Sequence, residues 1–317
     1  MRFELLELEK KEKGGIHHFK RLTNTPEKFY FYIGLTEQQF EVLFRLLEPD
    51  IYNMKMWQGK KEPKSVKTVK HDLKFQLGLT LLRIRRGYSL TDLSYQFQMG
   101  NSYLGNMFVT YVQLLFKKFD AMRPIMFAPQ AHHVPVPPAF QNKLLSKVRV
   151  VIDGVEFPIE SSADYKQQGN LYSTYKSRTT VKVLTGVAPC GALMFASDAF
   201  EGSISDRDIT IKSGFLDYIV PGDVVLADRG FTIHDLLAEK NATLIIPPFL
   251  QGQPNLTLEQ EVMTKLIAKA RIHVERFNER IKNYEILDKK IPLSLVPLLS
   301  QIVFIVCCLV NFQEPLA

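Results

Sequence analysis

Two short runs of mostly apolar residues, each followed by an aspartate, place the strongest constraint on the fold of this chain. Val148–Ile152 precedes Asp153, and Val224–Ala227 precedes Asp228. Short runs rich in valine and isoleucine are typical of buried strands. A carboxylate at the end of such a strand is held in position by the sheet, whereas most surface acids are solvated and mobile. The pattern therefore predicts two fixed carboxylates at the ends of two strands.

A third acid, Glu275, lies in a long helical pattern that extends from residue 262 to residue 283. It borders the apolar face of that helix, because it lies one residue, or about 100° of rotation, from Val274. Two alternatives stay open at this point. Glu279 lies on the same stripe of the helix, and Arg271 and Glu275 have the i to i+4 spacing of an ordinary helical ion pair.

Two strand-end carboxylates and a glutamate on a facing helix can hold two divalent cations close together. This arrangement serves in-line displacement at phosphorus. The first functional hypothesis from the residues alone is therefore phosphodiester chemistry.

The order of predicted elements indicates an α/β fold after residue 147. Three strand patterns come first, then helix and strand alternate, and two long helical segments follow. This order is typical of a mixed sheet covered by helices. The predicted strands cover residues 147–153, 179–187, 192–196, 223–227 and 243–246.

The first third of the chain reads as helical. Residues 89–119 predict a short helix, a tight turn at Gly100 and Asn101, and a new helix capped by Asn101 or Ser102. Such a helix-turn-helix can place its second helix in a DNA major groove. The alternative is an αα-hairpin whose second helix only packs against its neighbours.

A proline-rich stretch predicts the domain boundary. Four prolines fall between residues 128 and 139, where they exclude both a helix and the interior of a sheet. We therefore expect a helical region over residues 1–127, a linker over residues 128–146 and an α/β domain over residues 147–317.

The net charge of +7 comes from residues 1–90, which carry 18 Lys and Arg against 11 Asp and Glu, while the remaining residues carry 22 of each. A run of lysines between positions 55 and 74 can attract a phosphate backbone at long range. A solvated basic loop is the alternative. The run consists of Lys55, Lys60, Lys61, Lys64, Lys67, Lys70 and Lys74.

Cysteine usage and hydropathy exclude several classes of protein. The three cysteines have neither zinc-site nor disulfide spacing, which favours a reducing compartment. The N-terminus is charged from the outset and lacks the apolar stretch of a signal peptide. The apolar segment 291–310 contains Pro297 and Gln301, so we expect a helix buried under a sheet and no membrane association.

Six motifs in the second half of the chain occur together in one order, at residues 151–159, 175–182, 205–209, 213–217, 221–231 and 271–276. With these motifs the sequence from Val150 to the C-terminus resembles the transposase-derived DDE superfamily endonucleases, in particular the PIF/Harbinger-like group with a ribonuclease-H-like core. Residues 31–35 and the helix-turn-helix are similar to the helical region that precedes this core in the same group.

The resemblance implies a site and a chemistry. Asp153 and Asp228 match the two family aspartates, and Glu275, in its His-Val-Glu-Arg context, matches the final glutamate. In the family these acids bind two Mg²⁺ or Mn²⁺ ions. The implied activity is DNA cleavage by a transposase or nuclease, with strand transfer as a further step.

The resemblance also implies contacts with double-stranded DNA. Lys176 and Lys182 fall in a basic strand motif that can meet phosphates, although exposed strand lysines are the alternative. Arg229 follows the second aspartate and can neutralise phosphate charge, or it can simply mark a turn with Gly230.

Partners and location are likewise expectations drawn from the family. Many relatives carry a separate DNA-binding module, often zinc-based, for which this chain has too few cysteines, so an accessory DNA-binding protein is expected to be one source of targeting. A homodimer would suit the cutting of two ends, and a nuclear location is expected, with weak support from Lys60–Lys64. The alternative function is a domesticated, catalytically silent protein that binds DNA or a partner.

Overall fold

The computed structural model describes residues 14–59, 62, 64–65, 72–127, 137–161, 172–173, 178–250 and 255–314. The chain divides into two compact units. The first consists of Met1–Ala121 with Asn283–Lys289, and the second of Met122–Lys282 with Lys290–Ala317.

The first unit is mainly helical. Residues 14–22 are helical. The elements that follow are α1 (Pro26–Ile33), α2 (Glu37–Leu47), α3 (Asp50–Asn53), β1 (Lys55–Met56), β2 (Lys64–Ser65), α4 (Leu73–Arg86), α5 (Leu90–Phe97) and α6 (Asn101–Asp120). The two short strands β1 and β2 pair antiparallel. Helix α2 begins with a capping box between Thr36 and Gln39, and helix α5 with one between Ser89 and Asp92, which satisfies backbone groups at each start.

Helices α5 and α6 form the helix-turn-helix predicted from the sequence, but its cap differs from the prediction. Helix α6 begins at Asn101 with Gly100 as its N-cap and without a side-chain cap, so neither Asn101 nor Ser102 is the capping residue. The turn uses Gln98 in the left-handed conformation, with a φ of 55°. The apolar face of α6 is buried inside the first unit, through residues that include Leu104, Phe108, Val112 and Leu115.

A mixed sheet forms the centre of the second unit and confirms the predicted α/β class. Strand β3 pairs antiparallel with β5 and parallel with β8, which in turn pairs parallel with β9. The order is β4-β5-β3-β8-β9, and β6 and β7 both pair with β5. The strands are β3 (Val148–Pro158), β4 (Tyr172–Ser173), β5 (Arg178–Val187), β6 (Leu193–Ala196), β7 (Phe200–Glu201), β8 (Val224–Leu226) and β9 (Thr243–Ile245).

Helices flank this sheet, as in a ribonuclease-H-like fold. Within the described part of the predicted linker, Phe140 and Leu145 are buried in the second unit, because both are large apolar side chains. The helices are α7 (Arg123–Met126), α8 (Asp206–Lys212), α9 (His234–Ala238), α10 (Leu258–Lys282) and α12 (Leu299–Val310), with 3-10 turns at Pro138–Phe140, Phe215–Tyr218 and Leu293–Leu298.

The C-terminal apolar segment forms part of the core of the second unit. Among the described residues, Leu293–Val310 is the one stretch long and apolar enough to cross a membrane. Within helix α12, however, every residue except Ser300 and Gln301 is buried inside the protein. This burial is the behaviour expected of a core helix.

Seven residues that follow α10 belong to the first unit. Asn283–Lys289 contains a one-turn helix, α11 (Glu285–Asp288), and the carboxylate of Glu285 pairs with Arg86 at 2.6 Å. The chain thus returns to the first unit before it completes the second. The buried side chains of this segment are Tyr284, Ile286 and Leu287.

Candidate active site

Asp153 lies inside strand β3 rather than at its end, which corrects the sequence prediction. The strand continues to Pro158 because β5 pairs with it along its whole second half. The parallel pairing with β8, by contrast, last joins Val151 to Leu226. Asp153 therefore lies just beyond the point where β8 stops, and its carboxylate is mostly buried, with 24% of the side chain exposed.

Asp228 follows strand β8, as predicted. The backbone N–H of Arg229 donates a hydrogen bond to Oδ1 of Asp228 at 2.7 Å, and the N–H of Phe231 donates to the Asp228 carbonyl. Phe231 is buried and anchors the turn. The carboxylate is thus fixed by the backbone that follows it, yet half of the side chain remains open to solvent.

Glu275 lies on helix α10 with its side chain 57% exposed. Buried residues one position before it and two positions after it, Val274 and Phe277, hold the helix against the sheet. Glu279, the competing acid, is also exposed, but among the described residues no ion pair joins it to the arginine that both aspartates contact. Glu275, in contrast, reaches the same arginine as both of them.

That arginine, Arg271, lies within 4 Å of all three acids. Its guanidinium is 3.5 Å from Oδ1 of Asp228, 3.9 Å from Oδ1 of Asp153 and 3.9 Å from Oε1 of Glu275. The side chain is 16% exposed. The helical ion pair considered from the sequence is therefore one of three contacts that gather the carboxylates around a single positive charge.

Asn278 connects the same helix to Asp153. Its side-chain amide donates to Oδ2 of Asp153 at 2.9 Å, and its oxygen accepts a hydrogen bond from the Thr185 hydroxyl at 3.2 Å. Thr185 lies opposite Asp153 in the β3–β5 register. Because Asn278 and Thr185 are both buried, this chain of hydrogen bonds fixes the orientation of the Asp153 carboxylate.

The electrostatic environment of Asp153 reflects both its burial and its acidic neighbours. Burial raises the pKa of the Asp153 carboxyl to about 6, and the negative charges of Asp228 and Glu275 also raise it. The positive charge of Arg271 opposes the rise. A buried acid with this environment binds either a proton or another cation readily.

A fourth acid, Asp206, lies beside the backbone of both aspartate segments. A Cβ atom on Gly230 would lie 2.7 Å from Oδ2 of Asp206, and one on Gly154 would lie 3.5 Å from its Oδ1. Lys182 lies 3.5 Å from Oδ1 of Asp206, and its ammonium donates to the Ile204 carbonyl at 2.8 Å. In this structure the Lys182 ammonium is thus engaged within the protein; its predicted contact with DNA stays a prediction.

Arg229 is exposed and has an aromatic neighbour. Its guanidinium lies over the ring of Phe249, 5.6 Å from the centroid. The parallel pairing of β8 and β9 brings the residues after both strands to one edge of the sheet. Of the other residues predicted to contact DNA, Lys60, Lys61, Lys67, Lys70 and Lys176 lie outside the described residues, as does the side chain of Lys64.

The donor set suits a hard divalent cation. Three carboxylates from separate parts of the chain supply oxygen ligands, which Mg²⁺ and Mn²⁺ prefer. In the described portion of the chain, no three His, Cys, Asp or Glu side chains form a ready-made metal cluster. The guanidinium of Arg271 between the acids accounts for their spacing, and the residues present fit a cation that would draw them closer.

One of three comparisons with known proteins identifies a family for this chain. No curated protein and no solved structure matches the chain significantly. A family model described as "DDE superfamily endonuclease" matches residues 152–311, which include all three acids and half of the 317 residues. The chain belongs to the DDE superfamily endonucleases.

Proposed function

We propose that this protein is a divalent-metal-dependent DNA endonuclease or transposase in which Asp153, Asp228 and Glu275 bind two Mg²⁺ or Mn²⁺ ions. The observation that carries the proposal is the convergence of these three carboxylates, distant in sequence, on Arg271. Carboxylates repel one another, so a site that gathers three of them is suited to an added cation.

Asp153, Asp228 and Glu275 would hold the ions, which would supply the activation of a water or a 3′-hydroxyl and the stabilisation of the leaving oxygen. The protein itself positions the ligands. Asn278 orients the Asp153 carboxylate, and the Asp228 carboxylate is held by the N–H of Arg229. The guanidinium groups of Arg229 and Arg271 offset the charge of an approaching phosphate. Attack by a protein side chain is not required, so strand transfer to a second DNA uses the same residues.

The partner in this proposal is double-stranded DNA. The lysine run between positions 55 and 74, Lys176, Lys182 and Arg229 would contribute phosphate contacts, and the exposed start of helix α6 would be available to a groove. A homodimer, an accessory DNA-binding protein and a nuclear location complete the proposal.

The test is cleavage of labelled duplex DNA in Mg²⁺ or Mn²⁺, with the chelator EDTA as the metal-free control. We expect Glu275→Gln and Asp228→Asn to reduce the cleavage rate by at least about 100-fold, since each removes a charged ligand. Glu279→Gln is the matched control on the same helix and should cut at the wild-type rate. Equal cutting by all variants would reject the assignment.

A second candidate, a catalytically silent DNA-binding or partner-binding protein, is favoured by the position of Arg271. A guanidinium held between three carboxylates offsets part of their negative charge without a metal. If this candidate is correct, wild type and Glu275→Gln will bind DNA equally, neither will cleave it, and Mn²⁺ will not bind measurably. Metal binding that is lost in Glu275→Gln would exclude it.

A further inference from the structure

An aromatic ring lies at the edge of the sheet that carries Asp228. Strands β8 and β9 are parallel, and the last paired residues are Leu226 and Ile245. Asp228 follows one strand and Phe249 follows the other, so both lie beyond the carboxyl ends of adjacent parallel strands. Ligands of open α/β sheets bind at this kind of edge.

Phe249 is presented to solvent instead of being packed into the core. It is 45% exposed, whereas Ile246, three residues earlier, is buried. Two prolines, Pro247 and Pro248, precede it and restrict the backbone that carries the ring. The guanidinium of Arg229 lies 5.6 Å from the ring centroid, which holds the two side chains together.

This pair combines the two groups that recognise single nucleotides. A fixed aromatic ring stacks on an unpaired base of any sequence, and an adjacent guanidinium binds the phosphate of the same strand. Arg229 is next to Asp228 in the chain, so a base on the ring would lie beside a phosphate at the acids. A duplex base inside its stack cannot reach such a ring.

We propose that Phe249 and Arg229 form a stacking platform for an unpaired nucleobase next to the phosphodiester that is cleaved. The proposal rests on the proposed function for its location, but its ligand is defined separately as single-stranded or locally unpaired DNA. It gives the protein a preference for DNA that is distorted or open at the cleavage point. A protein that contacted only phosphates would bind such DNA and a strand without bases with the same affinity.

The experiment measures binding of the full chain to two fluorescein-labelled oligonucleotides in EDTA, so that cleavage does not occur. One is a single strand of about 20 thymidine nucleotides, a length that corresponds to about two turns of duplex DNA. The other has the same length and the same phosphates, but its sugars carry no bases. We expect wild type to prefer the thymidine strand, and Phe249→Ala to weaken that binding by about 5-fold or more while leaving abasic binding unchanged.

Three further variants control for packing. Phe249→Trp should retain the preference because it keeps a π face, and Phe249→Leu should lose it although it keeps apolar volume. Leu250→Ala removes a side chain of similar exposure, 47%, next to the ring, and should bind both strands as wild type does. A thermal melt shows whether each variant is folded.

The outcomes separate this inference from the proposed function. The stacking platform is overturned if Phe249→Ala weakens binding to both strands equally, or if Phe249→Leu still prefers the thymidine strand. Either result would count against it even if the protein is an active nuclease. Loss of the base preference in Phe249→Ala and Phe249→Leu supports the platform, even if wild type fails to cleave DNA in Mg²⁺ or Mn²⁺.

Discussion

The side-chain amide of Asn278 donates a hydrogen bond to Oδ2 of Asp153 at 2.9 Å, which joins helix α10 to strand β3 through the most buried acid of the site. A residue that hydrogen-bonds to a metal ligand, as Asn278 does here, orients that ligand. Loss of such a residue weakens metal binding or activity by about 10- to 100-fold. We therefore expect Asn278→Ala to weaken Mn²⁺ binding by about that factor, measured by calorimetric titration. Glu279→Ala, the exposed neighbour, is the control. Wild-type affinity in Asn278→Ala would show that Asp153 is oriented by other contacts.

The buried carboxyl of Asp153 should make the metal-free protein less stable at neutral pH than at acidic pH. Its pKa of about 6 in the folded state exceeds the usual value near 3.9, so the folded state binds the proton more tightly than the unfolded state. The resulting stability is fully present below about pH 4 and is lost as pH rises through about 6, by up to about 3 kcal/mol.

In Asp153→Asn the side chain at this position cannot ionise, so the variant lacks this pH-dependent part of the stability. The measurement is the free energy of unfolding in EDTA between about pH 4 and pH 8 for both proteins. Wild type should lose stability relative to Asp153→Asn as pH rises. A difference that stays constant across the range would show that burial does not shift this pKa as stated.

Removal of the Arg271 charge should tighten metal binding. The guanidinium competes with a cation for three carboxylates, and partly exposed pairs contribute roughly 0.5 kcal/mol each, or about tenfold in affinity together. We expect Arg271→Gln to bind Mn²⁺ about tenfold more tightly at pH 8, which is above the pKa of about 6 of the Asp153 carboxyl. Arg276→Gln, on the exposed side of the same helix, should bind as wild type does. Weaker binding by Arg271→Gln would mean that the arginine assembles the site instead of competing for it.

The buried ion pair between Arg149 of strand β3 and Asp223 should be needed for the stability of the second unit. Arg149 pairs with Asp223 and also donates to the Phe127 carbonyl, and Asp223 is 8% exposed. Asp223→Ala leaves a buried positive charge without its partner, so we expect a loss of about 3–5 kcal/mol in the free energy of unfolding. Denaturant titration would measure it.

Asp235→Ala is the matched control for that experiment. Asp235 pairs with Arg207 in a two-point contact at the surface, where water screens the charges. Its removal should leave the unfolding midpoint almost unchanged. Similar losses in both variants would show that burial does not set the contribution of the Arg149 pair.

The parts of the site that sequence reasoning predicted are those governed by local pattern. The run Val224–Ala227 predicts a buried strand followed by Asp228 because neighbouring residues alone determine it. The extension of β3 beyond Asp153 could not be predicted in this way, since it depends on pairing with β5, some thirty residues later. Strand ends are set by partners that the local sequence does not contain.

The helical spacing of the sequence identified candidate site residues on α10, but it did not show which of them face the aspartates. Arg271 and Asn278 lie four residues before and three after Glu275, so all three share a stripe of α10. Periodicity does not reveal that this stripe faces Asp153, which is set by packing of the helix on the sheet. Likewise, the burial of His273 depends on the ring of Phe140, 5.5 Å away and remote in sequence.

The return of Asn283–Lys289 to the first unit limits how the chain can be divided or exchanged. A fragment that starts at Met122 would carry, in the middle of its sequence, the exposed apolar side chains of Tyr284, Ile286 and Leu287, which normally lie in the core of the first unit. Such a fragment should aggregate unless these residues are replaced by polar ones. For the same reason, a chimera that takes its helical region from a relative must also take these seven residues, so the two units should evolve as one piece.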